Sequence, residues 1–116
     1  MKIDDIFEYI EKNYNTLIEH PWEKYPEHIV LKHPENKKWY GLIMNVEKET
    51  IGLKGTKKIQ ILNIKCYPEM ICQLRLKKCF LPAYHMNKEH WITIVLEEAD
   101  AEEVMQLIDI SYELTK

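Results

Sequence analysis

Residues 37–65 have the sequence KKWYGLIMNVEKETIGLKGTKKIQILNIK, and this stretch decides the fold. Over residues 37–46, two sets of side chains alternate from one position to the next, which is the two-residue period of a strand. A second apolar run, residues 59–65, follows a turn rich in lysine and glycine. The connection between the two runs is too short for a crossover helix, so the sequence predicts antiparallel pairing.

Shorter apolar runs predict the other strands of the same sheet. Residues 28–32 precede the turn formed by residues 33–36, and residues 50–53 end at the lysine-rich turn. Residues 91–96 contain a β-branched run that predicts the final strand. Short connections between consecutive strands favour an antiparallel meander with one face buried and the other able to face water.

Two amphipathic stretches predict helices near the two ends of the sequence. Residues 3–19 place apolar side chains three and four positions apart, start near two aspartates, and stop before a proline. Residues 100–115 start at Asp100, with Glu103 at the spacing of a capping box. A proline also opens a shorter predicted helix over residues 68–78.

These elements predict a two-layer α+β domain, with the N- and C-terminal helices packed on one face of an antiparallel sheet. The 116 residues are close to the commonest domain size, so we expect a single domain over residues 1–116. No apolar run is long enough to cross a bilayer, and the N-terminal residues lack the basic and apolar regions of a signal peptide. We therefore expect a cytoplasmic monomer that does not associate with membranes.

The charges are distributed unevenly along the sequence. The formal net charge is −3, but residues 28–92 carry eleven lysines and one arginine against five acidic residues. Residues 1–27 and 93–116 are both acidic. In the expected fold, the helical layer would be acidic, and the sheet with its hairpins would be basic. Such an asymmetry favours a polyanionic partner.

Four segments resemble those of a known family. They are residues 33–40 (HPENKKWY), 61–66 (ILNIKC), 81–91 (LPAYHMNKEHW) and 110–114 (ISYEL). On these segments the sequence resembles the MmcQ/YjbR family over nearly its whole length. The resemblance implies a fold similar to that of CyaY and frataxin, with two hairpin wings. It also implies DNA binding, a function that for this family rests largely on the shape of the wings.

No catalytic site or cofactor is expected. Cys66, Cys72 and Cys79 are separated by five and six intervening residues, and these gaps match no zinc pattern. A cysteine paired with His85 or His90 would lack a third group to position the base. The two histidines are expected to anchor a turn and not to bind metal.

The frataxin-like shape also suggests a binding site for a hard cation. Its ligands would be the carboxylates of Asp4, Asp5, Glu8 and Glu11 in the first helix. Carboxylates near a helix N-terminus already cap the helix and complement its dipole, so we expect no metal there.

The sequence favours binding to DNA through the phosphate groups. Lysines at hairpin tips can reach phosphates while the sheet holds them in register. Edge and hairpin lysines also serve to prevent aggregation between sheets, which is the alternative explanation. The predicted nucleic-acid-binding residues are Lys37, Lys38, Lys54, Lys57, Lys58, Arg75 and Lys88.

A non-enzymatic module that binds a protein or a small ligand is the alternative function. Trp22, Trp39, Tyr40, Tyr84 and Trp91 are many aromatic residues for a small domain. Aromatic side chains beside the lysines would favour stacking on bases, whereas a pocket lined by them would favour a ligand.

The longest segment that resembles the family, residues 81–91, is also expected to have a structural role. We expect an ordered turn over residues 84–91 that defines local structure and takes no part in catalysis. Its side chains are able to bond nearby backbone groups. The predicted structural residues are Tyr84, His85, Asn87, His90 and Trp91.

Overall fold

The alternating stretch over residues 37–46 forms the longest strand of the sheet, as its period predicts. A computed structural model describes all residues, 1–116. It contains six strands: β1 (Leu17–Glu19), β2 (Ile29–Lys32), β3 (Trp39–Glu47), β4 (Lys58–Lys65), β5 (Phe80–Pro82) and β6 (Trp91–Val95). Three α-helices accompany them: α1 (Ile3–Asn13), α2 (Pro68–Leu74) and α3 (Ala101–Thr115).

All neighbouring strands pair antiparallel, in the order β1-β2-β3-β4-β6-β5. The first four strands form an antiparallel meander, of which β2, β3 and β4 were predicted. The chain then leaves the sheet through α2 and returns along β5 at the far edge. Strand β6 turns back to pair with both β4 and β5, so the last two strands depart from a simple meander.

Helices α1 and α3 pack on the sheet as the two apolar stripes predict. Ile6 and Ile10 of α1 and Leu107 and Ile108 of α3 belong to the main hydrophobic core. The α3 side chain of Ser111 also bonds the sheet, donating to the carbonyl of Tyr40 over 2.6 Å. The predicted two-layer α+β fold is confirmed.

The predicted cap of the last helix is also present. The Asp100 carboxylate accepts a hydrogen bond of 3.0 Å from the backbone N–H of Glu103. This bond satisfies one of the free N–H groups at the start of α3.

None of the three helices has the length and apolar character that crossing a membrane requires.

The prediction of a first helix over residues 3–19 is wrong at its C-terminal end. Helix α1 stops at Asn13, whose side-chain amide donates to the carbonyl of Tyr9, and the next residue is extended. Residues Leu17–Glu19 form β1 instead, paired with β2. The three-and-four spacing of apolar residues continues past Asn13 into β1. A three-residue strand is too short to show the two-residue period of a strand, so the spacing alone could not distinguish it from a helix.

Three other boundaries also differ from the sequence prediction. Residues Lys48–Ile51 form a 3-10 helix where residues 50–53 were expected to be a strand, because Gly52 has a left-handed conformation with φ of 84° and turns the chain. The predicted helix over residues 68–78 ends at Leu74. The short edge strand β5 was not predicted at all, since its three residues include a proline.

Candidate functional site

The sheet face that the helices leave uncovered holds an open groove of about 740 Å³. None of its lining residues belongs to an α-helix. We call it the aromatic groove. It is lined by Trp22, Tyr25, Glu27, His28, Trp39, Leu42, Met44, Asn45, Val46, Glu47, Thr50, Lys58, Tyr84, His85 and Met86.

The floor of the aromatic groove is formed by strand β3. Leu42, Met44 and Val46 point to the same side because alternate residues of a strand share a face. All three side chains are buried, and all three line the groove. The alternation of this strand, which predicted its structure, therefore also supplies an apolar floor.

The first wall consists of residues 22–28, the segment between β1 and β2. Backbone bonds shape it, because the N–H of Tyr25 donates to Trp22 and the N–H of His28 donates to Tyr25. The rings of Tyr25 and His28 are stacked with centroids 5.0 Å apart. Trp22 meets Trp39 edge to face at 6.0 Å. Four aromatic or imidazole rings thus form one continuous surface.

The second wall consists of residues 84–86, and two buried polar side chains of the sheet hold it in place. The Asn63 amide donates to the carbonyl of Tyr84 over 2.9 Å, and the N–H of Tyr84 donates to the Thr93 hydroxyl over 2.9 Å. Thr93 in turn donates to Asn63, and both residues are fully buried. Polar groups in a sheet interior are costly unless paired, so this network serves to fix the wall.

At the rim of the second wall, His85 has an unusual backbone conformation. Its φ is 59°, in the left-handed region that only a small fraction of residues other than glycine adopt. Its ring lies 4.0 Å from that of Tyr84, measured between centroids. Such conformations are found preferentially at functional sites.

The expected anchoring role of the histidine side chains in the turn over residues 84–91 is wrong. The His85 side chain is exposed and makes no hydrogen bond, and the His90 ring lies only within 4.0 Å of the Glu89 carboxylate. Asn87 does organise the turn, because its side chain accepts from the N–H of Glu89 over 2.8 Å and its carbonyl accepts from the N–H of Trp91 over 2.9 Å.

The structure separates the predicted nucleic-acid-binding residues into distant groups. Lys37 and Lys38 precede β3, whereas Lys57 and Lys58 lie beyond its other end. The strand has 9 residues, so its ends lie about 27 Å apart at the usual rise per residue. All seven predicted residues are exposed. They do not form one continuous patch.

Among these seven residues, Lys57 alone has a carboxylate partner, Glu97, at 3.8 Å. Lys54 belongs to the same turn as Lys57, Arg75 follows the end of α2, and Lys88 lies in the turn before β6. The positive groups therefore lie at several separate places, namely near the two ends of β3, at the end of α2 and in the turn before β6, and the acidic residues of the two terminal helices lie on the helical layer.

The three cysteines are unpaired in the structure. Burial raises the pKa of the Cys66 and Cys79 thiols, which disfavours the thiolate needed for nucleophilic attack.

No three histidine, cysteine or carboxylate side chains come together as a metal site. On α1, Glu8 pairs with Lys12 at 3.1 Å, and Asp5 accepts from the N–H of Lys2.

The expected aromatic residues separate into two groups. Trp22, Trp39 and Tyr84 line the aromatic groove, whereas Tyr40 is fully buried and Trp91 lies outside the groove. Tyr25, His28 and Met86 also line the groove, and they were not predicted from the sequence. Aromatic density in the segment before β2 was the available signal, but only the fold shows that this segment faces residues 84–86.

A six-stranded antiparallel sheet, covered by helices on one face and grooved on the other, places the protein among two-layer α+β folds. The sequence profile of the YjbR family matches residues 4–114. The chain belongs to the YjbR family, as the resemblance predicted.

Relatives and solved structures agree with this assignment. The uncharacterized protein YyaQ of Bacillus subtilis (strain 168) is 54% identical over 114 residues, which cover 97% of each chain. The crystal structure of a Pseudomonas syringae protein is 43% identical, covers each chain completely and has a TM-score of 0.95. The Deinococcus radiodurans protein DR2400, at 24% identity, shares the fold with a TM-score of 0.74 over 97% of this chain and 77% of its own.

Proposed function

We propose that the protein is a non-enzymatic binding protein that takes a small molecule into the aromatic groove. The observation behind this proposal is the groove itself, an apolar floor between two aromatic walls on the uncovered face of the sheet. Ligand pockets typically have volumes of about 300–1,000 Å³ and are lined by apolar and aromatic side chains with a few polar groups. The aromatic groove fits that description.

The polar groups of the aromatic groove support this proposal. The indole N–H groups of Trp22 and Trp39 and the hydroxyl of Tyr84 have no hydrogen-bond partner in the protein, and none of these atoms is fully buried. They are free to bond a ligand. The left-handed conformation of His85 at the rim adds a strained residue at the same place.

A binding role without catalysis agrees with the chemistry of the thiols. Two of the three cysteines are buried, and their raised pKa values favour the neutral thiol. Unpaired cysteines also support our proposal of a cytoplasmic location, where thiols remain reduced.

Thermal unfolding with a panel of neutral aromatic fragments tests this function. A ligand that binds the folded state at about ten times its Kd should stabilise the protein by about 1.4 kcal/mol and raise Tm by several degrees. Tyr25→Ala should remove the shift. Tyr67→Ala is the matched control, because both tyrosines are about half exposed, at 52% and 45%, and only Tyr25 lines the groove. An equal shift in both variants, or no shift with any fragment, would contradict the proposal.

Binding of DNA through phosphate contacts is the second candidate function. The supporting observation is that six of the seven predicted basic residues have no carboxylate within 4.0 Å, which leaves their charges free. Because these residues lie on separate edges of the sheet layer, we expect weak binding with little dependence on base sequence.

The salt dependence of binding tests the second candidate. Replacing Lys57 and Lys58 together by glutamine should weaken all DNA sequences alike, and it should flatten the slope of log affinity against log salt by about two. Replacing Glu102 and Glu103 on the helical layer should have little effect. If the native protein binds neither DNA nor RNA at about 50 mM salt, where charge contacts are strongest, this candidate fails.

A further inference from the structure

The first wall of the aromatic groove forms a corner of perpendicular rings. Trp22 stands at 87° to Trp39 and at 78° to His28, with centroids 6.0 Å apart in both pairs. Tyr25 lies parallel to His28, at 7°, and is about half exposed. Trp22 and Trp39 are partly exposed and line the groove, so a ligand group in this corner would contact rings that stand in different orientations.

The charges around the aromatic groove are more negative than positive. Glu27, Glu47 and Lys58 are its charged lining residues. Neither carboxylate has a cation within 4.0 Å, although Glu47 and Lys58 are cross-strand neighbours in the β3–β4 pair. Glu47 is the last residue of β3 and Trp39 the first, so Glu47 and its neighbour Lys58 lie far along the strand from Trp39. Glu27, next to His28 on the first wall, is therefore the free carboxylate nearest to the rings along the chain. It would attract a cationic ligand and repel an anionic one.

Aromatic faces attract cations through their quadrupole, and tryptophan does so most strongly. Alkylated ammonium groups suit such a corner because they are weakly hydrated and present an apolar surface. From the ring geometry and the free carboxylate of Glu27 together, we infer that the natural ligand of the aromatic groove is a small organic cation with an alkylated ammonium group. This inference rests on the proposed function and specifies its ligand class.

The test compares choline with 3,3-dimethylbutan-1-ol, which has the same shape and lacks the charge. Binding of each to the native protein is followed by tryptophan fluorescence. Choline should bind about two- to thirty-fold more tightly than the neutral alcohol, the range that a cation–π contact supplies. Equal affinities, or tighter binding of the alcohol, would overturn the inference.

Variants of exposed residues separate the two contributions with little risk to folding. Glu27→Gln should weaken choline by about two- to five-fold and leave the alcohol unchanged, since only the charge is removed. Tyr25→Leu should lower the preference for choline by removing a ring. Glu69→Gln, an exposed acid on α2 away from the groove, should change neither affinity. If Glu27→Gln and Glu69→Gln behave alike, the carboxylate has no role in recognition.

The outcomes also separate this inference from the proposed function. If neutral aromatic fragments stabilise the protein and choline does not bind, the groove is a ligand site for uncharged molecules and the cation inference is wrong. If neither choline, the alcohol nor any fragment binds, both proposals fail.

Discussion

At the scale of single residues, the role of the polar pair Asn63 and Thr93, beneath the second wall, could not be predicted from the sequence. Asn63 and Thr93 occupy apolar strands and gave no signal of their own, because a strand pattern does not show which residues face each other across a sheet. The fold places them side by side in the β4–β6 pair, where they fix Tyr84 through both of its backbone groups. Sequence analysis found Tyr84 but not what positions it.

This network leads to a stability prediction. Asn63→Ala should lower the free energy of unfolding by about 1–3 kcal/mol, because the buried Thr93 hydroxyl loses its acceptor and the partly buried Tyr84 carbonyl loses its donor. Urea denaturation measures the change. Gln60→Ala, on the same strand but exposed, should change stability little. A similar loss in both variants would show that the network has no special role. Asn63→Ala should also weaken ligand binding, since the second wall would no longer be fixed.

At the scale of elements, the long periodic segments were predictable and the short ones were not. Strand β3, helix α3 and the capping Asp100 follow from period and spacing alone. The three-residue strands β1 and β5 were missed because they are held by pairing with β2 and β6, which no local pattern reports. For the same reason, the aromatic groove could be suspected from its aromatic residues but not located.

The contact between the turn that joins β2 to β3 and the end of α3 leads to a prediction about how stability depends on pH. The ring Nε2 of buried His33 lies 2.8 Å from the Thr115 hydroxyl, which itself donates to the carbonyl of Ser111. The ring nitrogen is therefore the donor in this contact. Burial lowers the pKa of His33 from its usual value of 6.5.

The sign of the pH effect follows from linkage. As pH falls below about 6.5, His33 binds a proton in the unfolded chain before it does so in the folded protein. The folded state therefore loses stability between the unfolded and folded pKa values. His33→Gln should show a smaller loss of unfolding free energy between pH 7 and pH 5 than the native protein. Exposed His90→Gln should keep the native slope. An unchanged slope in His33→Gln would contradict this explanation.

At the scale of the whole molecule, the charge distribution and the groove support different functions. The uneven distribution of lysines along the sequence predicted a nucleic-acid surface, but the fold spreads those lysines along several edges. The aromatic residues, which are scattered in the sequence from residue 22 to residue 84, converge on one face. Convergence in space is a stronger sign of a binding site than clustering along the chain. The small-molecule function therefore has the better structural support.

The most direct test of this central claim uses the side-chain N–H signals of the three tryptophans in an NMR spectrum of the native protein. During titration with a stabilising fragment, we predict that the indole signals of Trp22 and Trp39 move with the same Kd and that the signal of Trp91, outside the groove, stays in place. Shifts at Trp91 without shifts at Trp22 and Trp39 would contradict the account, as would saturable binding that moves none of the three.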